Sequence, residues 1–349
     1  MNARIIDHPQ FSLLVGVVFF MLMAMVPTGL ELSGVSGGGI AQLDVLNKIG
    51  IYAVLALSLN IILGQTGLFN MGHAAFFAVG AYTTAILNTM YQWPVFSTMP
   101  AAGFLAALFA FLVVMPIIHL RGDYLLVVTI GIVEIVRIAL MNNIFGITGG
   151  PNGIYGIARP ALFGLVFSSV KLQYYLIWSF TGISLFLFYL LEHSRIGRAF
   201  NYIKHDDLAA AGCGINVARY KLMAFVLGAF WAGMAGTLYA ANIRTIEPMS
   251  FNFYESVILF AIVILGGSGS NAGVILGAFL LVGLQDLFRG FDSARMLFFG
   301  AAMCAMMVFR PQGLLPPRRR RYNAWQLVGK FASAIRRSYP CDEDKRNDR

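Results

Sequence analysis

Long apolar stretches separated by short polar ones run through most of this chain. Residues 11–30 and 222–243 are uncharged apolar runs, close to the roughly 20 residues that a helix needs to cross a bilayer. The pattern predicts an all-α polytopic integral membrane protein with about ten transmembrane helices, or about eight if the short stretches after residue 252 are re-entrant. The other predicted spans are shorter or carry one polar group: 46–63, 68–90, 99–119, 124–141, 172–191, 253–266, 273–288 and 294–309.

A polar and basic segment, residues 195–221, interrupts this apolar pattern. Asp206 is expected to cap a short helix over residues 207–211, and Gly212 and Gly214 are expected to end it, because glycine accepts the left-handed backbone that closes many helices. A simple reversal between two spans would need only a few residues. The segment therefore predicts a compact knob on the water side that a motor subunit could grip, with an ordinary charged loop as the alternative.

Basic residues indicate the orientation of the chain, because lysine and arginine accumulate on the cytoplasmic side of membrane proteins. Ten spans would return both termini to the side that carries the knob, which predicts an N-in, C-in topology with a cytoplasmic knob. The basic residues that agree on this side are Arg195, Arg198, Lys204, Arg219, Lys221 and the run Arg318–Arg321.

Composition and charge support a membrane protein with lipid contacts. Of the 349 residues, 58% are hydrophobic and only 12% are charged, which excludes an ordinary soluble domain. The net charge of +9 lies mainly in loops and tail, so we expect membrane lipids and not nucleic acid as partners. The sequence predicts a transmembrane domain over 1–316 and a basic cytoplasmic tail over 317–349. The tail is expected to form an interfacial helix or to be disordered.

Two glycine-rich segments share a pattern. LGQTG at 63–67 and LGGSG at 265–269 each close one apolar stretch and open another, which suggests a degenerate internal repeat. Paired glycine-broken helices expose backbone groups to a central cavity in many transporters. Two tight turns with close helix packing are the alternative interpretation.

A candidate acid–base pair lies inside a predicted span. Glu134 and Arg137 are three residues apart and can meet on one helical face. Glu134 is about 16 Å from Asp123 along the helix, near the bilayer centre. Ionisable groups at that depth usually face a cavity or another polar group, so Glu134 and Arg137 are candidate pathway residues. His73, a polar residue in another predicted span, is a further candidate. A structural ion pair between two spans is the alternative.

The chain lacks motifs for chemistry. It has no phosphate-binding GxxxxGK[ST] loop, no HExxH and no zinc spacing of cysteine and histidine. A GxSxG string at 34–38 falls in a glycine-rich connection with no strand–turn–helix context, so we interpret it as a chance match. We therefore expect no catalytic residue, metal site or cofactor in this chain.

Several strings together resemble the LivM-type permease subunits of branched-chain amino-acid ABC importers. Each is weak alone, but together they cover most of residues 45–316. The strings are LNIILGQTGLFNMGHAAFFAVGAYT at 59–83, RGDYLLVVTIGIVEIVRI at 121–138, ITGGPNGI at 147–154, IGRAFNYIKHDDLAAAGCGINVARYKLMAF at 196–225, AIVILGGSGSNAGVILGA at 261–278 and FRPQGLLP at 309–316.

This resemblance implies a transport subunit in the bacterial inner membrane, not an enzyme. It implies a second homologous permease, two ATP-binding subunits that hydrolyse ATP, and a periplasmic substrate-binding protein. The transported substrates would be branched-chain or other hydrophobic amino acids, moved by alternating access. Permeases of urea and short-chain amide importers are also similar, which leaves the substrate class open. A passive channel or a secondary transporter is the competing class.

The resemblance also assigns the knob as the coupling helix that docks on an ATPase. The importer pattern of E-A-A, three residues, then G corresponds here to Ala209, Ala210 and Gly214, with Leu208 where the glutamate would stand. Asp207 is adjacent but out of register. The chain therefore lacks the glutamate that would make the polar contact to the ATPase, whereas the small residues suit a helix end in a cleft.

Overall fold

The computed structural model describes residues 38–120, 122–143, 146–162, 165–167 and 169–287, with Pro27 and short pieces at 300–301, 303–304, 308–310 and 313–315. The predicted span at 11–30, most of the span at 294–309 and the tail after residue 316 lie outside the described residues.

The described chain is mostly helical. A π-helical turn, Ile61–Gln65, follows α1 directly, and five helices are long and apolar enough to cross a membrane: α1 with its π turn, α3, α4, α5 and α8. The helices are α1 (Gly38–Asn60), α2 (His73–Tyr91), α3 (Val95–Ile117), α4 (Gly122–Met141), α5 (Val170–His193), α6 (Arg195–His205), α7 (Asp207–Gly212), α8 (Val217–Ile243), α9 (Phe253–Gly266) and α10 (Asn271–Leu287).

One detail of the sequence prediction is wrong. The span predicted over 68–90 begins only at His73, because the chain leaves the helix at Gly67, whose φ of +72° is left-handed. Two pairs of two-residue strands accompany the helices. The strands β1 (Ile154–Tyr155) and β4 (Thr245–Ile246) pair antiparallel, as do β2 (Ala161–Leu162) and β3 (Leu165–Val166). Helix α6, which precedes the short helix α7 in the same polar segment, was not predicted.

Short polar side chains set where several helices begin. The Ser169 hydroxyl accepts from the Leu172 N–H at the start of α5, and the Asn216 side chain accepts from the Arg219 N–H at the start of α8. Asn252 does the same for Glu255 in α9. These caps satisfy backbone N–H groups that have no partner inside the helix.

The core of the bundle depends on glycine packing between α2, α3 and α8. A Cβ atom at Gly80 would lie 2.3 Å from the Cα of Gly233, and one at Gly236 would lie 2.6 Å from the backbone N of Ala81. Gly228 packs in the same way on the side chain of Ile62. The absence of side chains at these glycines therefore lets α8 approach its neighbours closely.

The helix bundle has two distinct ends. At one end, Asn88 accepts from the Ala158 N–H (2.7 Å), and the Arg244 side chain donates to the Ile157 carbonyl (3.2 Å). The loop between α4 and α5 is thereby held against the end of α8. At the other end lie α6 and α7, and we call it the knob end.

Candidate functional site

The knob forms as the sequence predicts. Asp206 caps α7, with its Oδ1 accepting from the backbone N–H of Leu208 (2.8 Å) and of Ala209 (3.1 Å). Gly214 follows with a φ of +82° and allows the chain to turn into α8. Lys221 of α8 forms an ion pair with Asp207. The predicted helix and cap are confirmed, and docking on an ATPase stays a prediction.

The side chains of the knob differ sharply in exposure. Leu208 is 85% exposed, whereas Ala210 is only 3% exposed. Asp206, Asp207, Ala209 and Gly214 are also exposed. An exposed leucine at a helix tip carries apolar surface suited to a partner. Ala210 instead belongs to the internal packing of the knob.

Lys204, in α6, connects the knob to the membrane helices. Its ammonium donates to the Gly64 carbonyl at 2.6 Å, and its Cγ would lie 3.2 Å from a Cβ at Gly67. Gly64 lies in the last turn before the helix ends at Gly67, where carbonyl groups have no partner within the helix, and the lysine supplies the donor. Burial lowers the pKa of Lys204. The sequence showed Lys204 only as one basic residue among several.

The two glycine-rich segments meet next to this contact. Asn60 bridges them: its Oδ1 accepts from the Gly269 N–H (2.8 Å), and its Nδ2 donates to the Asn271 side chain (3.1 Å). Asn271 in turn donates to Glu192 at the end of α5 (3.3 Å). We call Asn60, Gly64, Gly269, Asn271 and Glu192 the Asn60 cluster.

Close packing, not an open cavity, characterises this junction. A Cβ at Gly64 would lie 2.5 Å from the backbone N of Gly269, and Gly64 is buried. Of the two interpretations of the glycine segments, the structure favours tight turns with close helix packing. The turns nevertheless interrupt helices, and Asn60 and Lys204 satisfy backbone groups at the interruption.

The predicted pair of Glu134 and Arg137 forms on α4. The Arg137 Nε lies 2.8 Å, and its Nη2 lies 2.6 Å, from Oε2 of Glu134. Both side chains remain partly exposed, 22% for Arg137 and 35% for Glu134. Arg137 also contacts the Met249 sulfur at 3.6 Å. The pair thus sits on one helix and does not tie two spans together through a second charge.

Removal of Arg137 alone is expected to harm the protein more than removal of both charges. Arg137→Met leaves the Glu134 carboxylate unpaired within an apolar span, which costs about 1–3 kcal/mol of folding free energy. Glu134→Gln together with Arg137→Met leaves no charge and is expected to recover most of that loss. Thermal unfolding of the purified variants measures this. A double variant as unstable as Arg137→Met would contradict the pairing argument.

His73 is fully buried and does not join this pair. The Ser58 hydroxyl donates to the Leu55 carbonyl (2.7 Å), so Ser58 accepts from Nε2 of His73, 2.7 Å away. This arrangement places the imidazole proton on Nε2. Within the described part of the chain, no hydrogen bond or ion pair connects His73 to Glu134 or Arg137. His73 begins α2, where the next N–H, of Ala74, donates to Ser256 of α9 (3.1 Å).

The comparison with known proteins decides what this bundle is. The sequence profile of a family described as "Branched-chain amino acid transport system / permease component" matches residues 42–309. The chain belongs to this family. The permease is 42% identical to the high-affinity branched-chain amino acid transport system permease protein LivM of Escherichia coli K12, over 299 residues that cover 79% of this chain and 70% of that protein.

Other relatives extend this similarity. The LivM protein of Salmonella typhimurium LT2 is 42% identical over 301 residues, covering 80% of this chain and 71% of that protein. The LivH permease protein of Escherichia coli K12 is 25% identical over 252 residues, covering 66% of this chain and 79% of that protein. No solved structure matches the chain.

Family membership confirms three predictions made from the sequence. The resemblance to LivM-type permeases is confirmed, the chain is a transport permease and not an enzyme, and it is a multi-pass membrane protein. Its similarity to both LivM and LivH relates it to two permease proteins of branched-chain amino acid transport.

Proposed function

We propose that this permease is the transmembrane subunit of an ATP-driven ABC importer for branched-chain or other hydrophobic amino acids. Its relatives are permeases of high-affinity branched-chain amino acid transport. The observation that carries the proposal in this chain is the capped, exposed knob, which Lys204 joins to the break between α1 and α2. A passive channel or a secondary transporter has no ATPase subunit on which such an element would dock.

The knob serves as the coupling helix in this proposal. Asp206, Asp207, Leu208, Ala209, Ala210 and Gly214 form the docking element on an ATPase subunit. ATP binding draws the ATPases together, and the knob moves as a rigid lever. Lys204 passes that movement to the Gly64 carbonyl, and the Asn60 cluster passes it to α5, α9 and α10.

The proposed topology has ten transmembrane helices, both termini in the cytoplasm and the knob on the cytoplasmic face of the bacterial inner membrane. The basic residues of 195–221 support this orientation, since such residues accumulate on the cytoplasmic side. In this arrangement residues 1–316 form the transmembrane domain and 317–349 a basic cytoplasmic tail in contact with lipid headgroups.

The pathway runs between this permease and a second, homologous one, by alternating access. Glu134 and Arg137 are proposed to border it, because their partly exposed charges lie within a membrane span. His73 is proposed to support the wall of the pathway from inside the bundle, since it is buried against Ser58. Two ATP-binding subunits and a periplasmic substrate-binding protein complete the proposed machine.

Copurification tests this function directly. The chain is extracted from its native membrane in mild detergent, and mass spectrometry identifies what remains bound. We expect a second permease and two P-loop ATPase subunits. A chain that repeatedly comes away alone, or only with copies of itself, would refute the importer. If the binding protein of the same system bound urea or short amides and not leucine, the proposed substrate class would be wrong, and urea or amides would take its place.

A further inference from the structure

A polar stripe descends along one face of α1. Asp44, Lys48 and Tyr52 recur every four residues, a spacing that places them on one side of a helix. All three are partly exposed, whereas the neighbouring Leu43, Asn47, Ile49, Ile51 and Ala53 are buried. The next positions of the same face, Ala56 and Leu59, are fully buried, so this face of α1 is exposed only along the stripe.

Glu255 of α9 contacts the stripe at Tyr52, its last residue. The Tyr52 hydroxyl donates to Oε2 of Glu255 at 2.8 Å. We take Gly64, where α1 is interrupted at the knob end, as one edge of the hydrocarbon layer. Tyr52 precedes Gly64 by twelve residues, or about 18 Å along the helix, which is close to the middle of a layer about 30 Å thick. The carboxyl group of Glu255 is thus held at mid-membrane depth, and Tyr52 engages only one of its oxygens.

A lipid-facing position does not fit Glu255, the ionisable group that lies at this depth. Ionisable side chains in the hydrocarbon are costly against lipid and are found facing cavities or other polar groups. The upper pair is loose, with Nζ of Lys48 3.8 Å from Oδ2 of Asp44 and the side chains 36% and 49% exposed. Such a pair contributes little stability. The charged groups of a passing molecule can therefore take the place of one partner with little loss of folding free energy.

We propose that Asp44, Lys48, Tyr52 and Glu255 form a contact site for the charged groups of a hydrophobic amino acid in transit. Lys48 receives the carboxylate, and Glu255 receives the ammonium at Oε1, the oxygen that Tyr52 does not engage. Val45, three residues before Lys48 on the same face, offers apolar surface to the side chain. This inference rests on the proposed function and adds the ligand chemistry of the pathway.

Thiol labelling of the whole complex tests the site. The native cysteines Cys213, Cys304 and Cys341 are first replaced by serine, and ATP-driven leucine uptake of this parent is measured. Val45→Cys then reports on the stripe. Leu46→Cys is the matched control, because it is also half-buried and apolar but lies on another face of α1. Both variants are treated with a charged methanethiosulfonate reagent, which reacts with thiols that water reaches, and the two reaction rates are measured.

We expect the Val45→Cys thiol to react at least tenfold faster than the Leu46→Cys thiol. During leucine transport, the Val45→Cys thiol is expected to react at least threefold more slowly than it does without leucine. Glu255→Gln, which keeps an acceptor for Tyr52, is expected to abolish that protection. Equal rates at the two positions, or no protection in a parent that transports leucine, would overturn the site and leave the proposed function standing. A native complex without ATP-driven uptake of any amino acid would overturn the proposed function and the ligand assigned here.

Discussion

Gly64→Ala is expected to destabilise the folded permease severely, by about 2–4 kcal/mol. A Cβ at Gly64 would lie 1.9 Å from Oδ1 of Asn60 and 2.5 Å from the backbone N of Gly269. Neither neighbour can withdraw cheaply, because Asn60 accepts from Gly269 and donates to Asn271. Relief of the clash would therefore break buried hydrogen bonds at the junction of the two glycine segments.

Gly131→Ala is the matched control for this change. Gly131 lies inside α4, and a Cβ there would meet nothing within 4 Å. Alanine at an open helical position is expected to be neutral or to add up to about 1 kcal/mol. Thermal unfolding of the two purified variants measures the difference. If Gly64→Ala unfolded at the same temperature as Gly131→Ala, the Asn60 cluster would not be the rigid junction described above.

Leu208→Asp is expected to reduce ATP-driven uptake at least tenfold without loss of folded protein. The side chain is 85% exposed, so the fold does not depend on it. A cleft on an ATPase that receives this apolar tip would have to bury a carboxylate instead, and an unpaired buried charge is strongly unfavourable. The expected loss corresponds to at least about 1.4 kcal/mol of coupling free energy.

Leu208→Met is the control, because it keeps an apolar side chain of similar size and is expected to retain uptake. Uptake in vesicles and the amount of ATPase that copurifies are measured for both variants. Full activity of Leu208→Asp would exclude the helix tip as a docking residue. Ala210 is a poorer target for this test, since it is buried in the knob and a charge there would disturb α7 itself.

Several features of the fold followed from local sequence. The cap at Asp206 and the positive φ of Gly214 depend on side chains next to the backbone they serve. The pair of Glu134 and Arg137 depends on a three-residue spacing within one helix. Such short-range geometry is the same in nearly any tertiary setting, which is why a single sequence was sufficient to predict it.

Other site residues could not be predicted in this way. Lys204 is 140 residues from its acceptor Gly64, and Tyr52 is 203 residues from Glu255. Nothing in either sequence neighbourhood specifies the other, since hydropathy marks each span but not its neighbours. His73 stays a candidate pathway residue, and its full burial against Ser58 was not predictable from the sequence. Which face of a helix meets the core was thus the missing information.

The sequence by itself determined the environment, the approximate spans, the knob and the family of this permease, because hydropathy, charge and short motifs are properties of contiguous residues. Only the tertiary structure decided that LGQTG and LGGSG meet at Asn60 and that Lys204 ties the knob to their junction. It alone decided also that Tyr52 and Glu255 extend the face of Asp44 and Lys48. These contacts depend on helix packing, in which glycines set how closely backbones approach and distant polar groups satisfy one another.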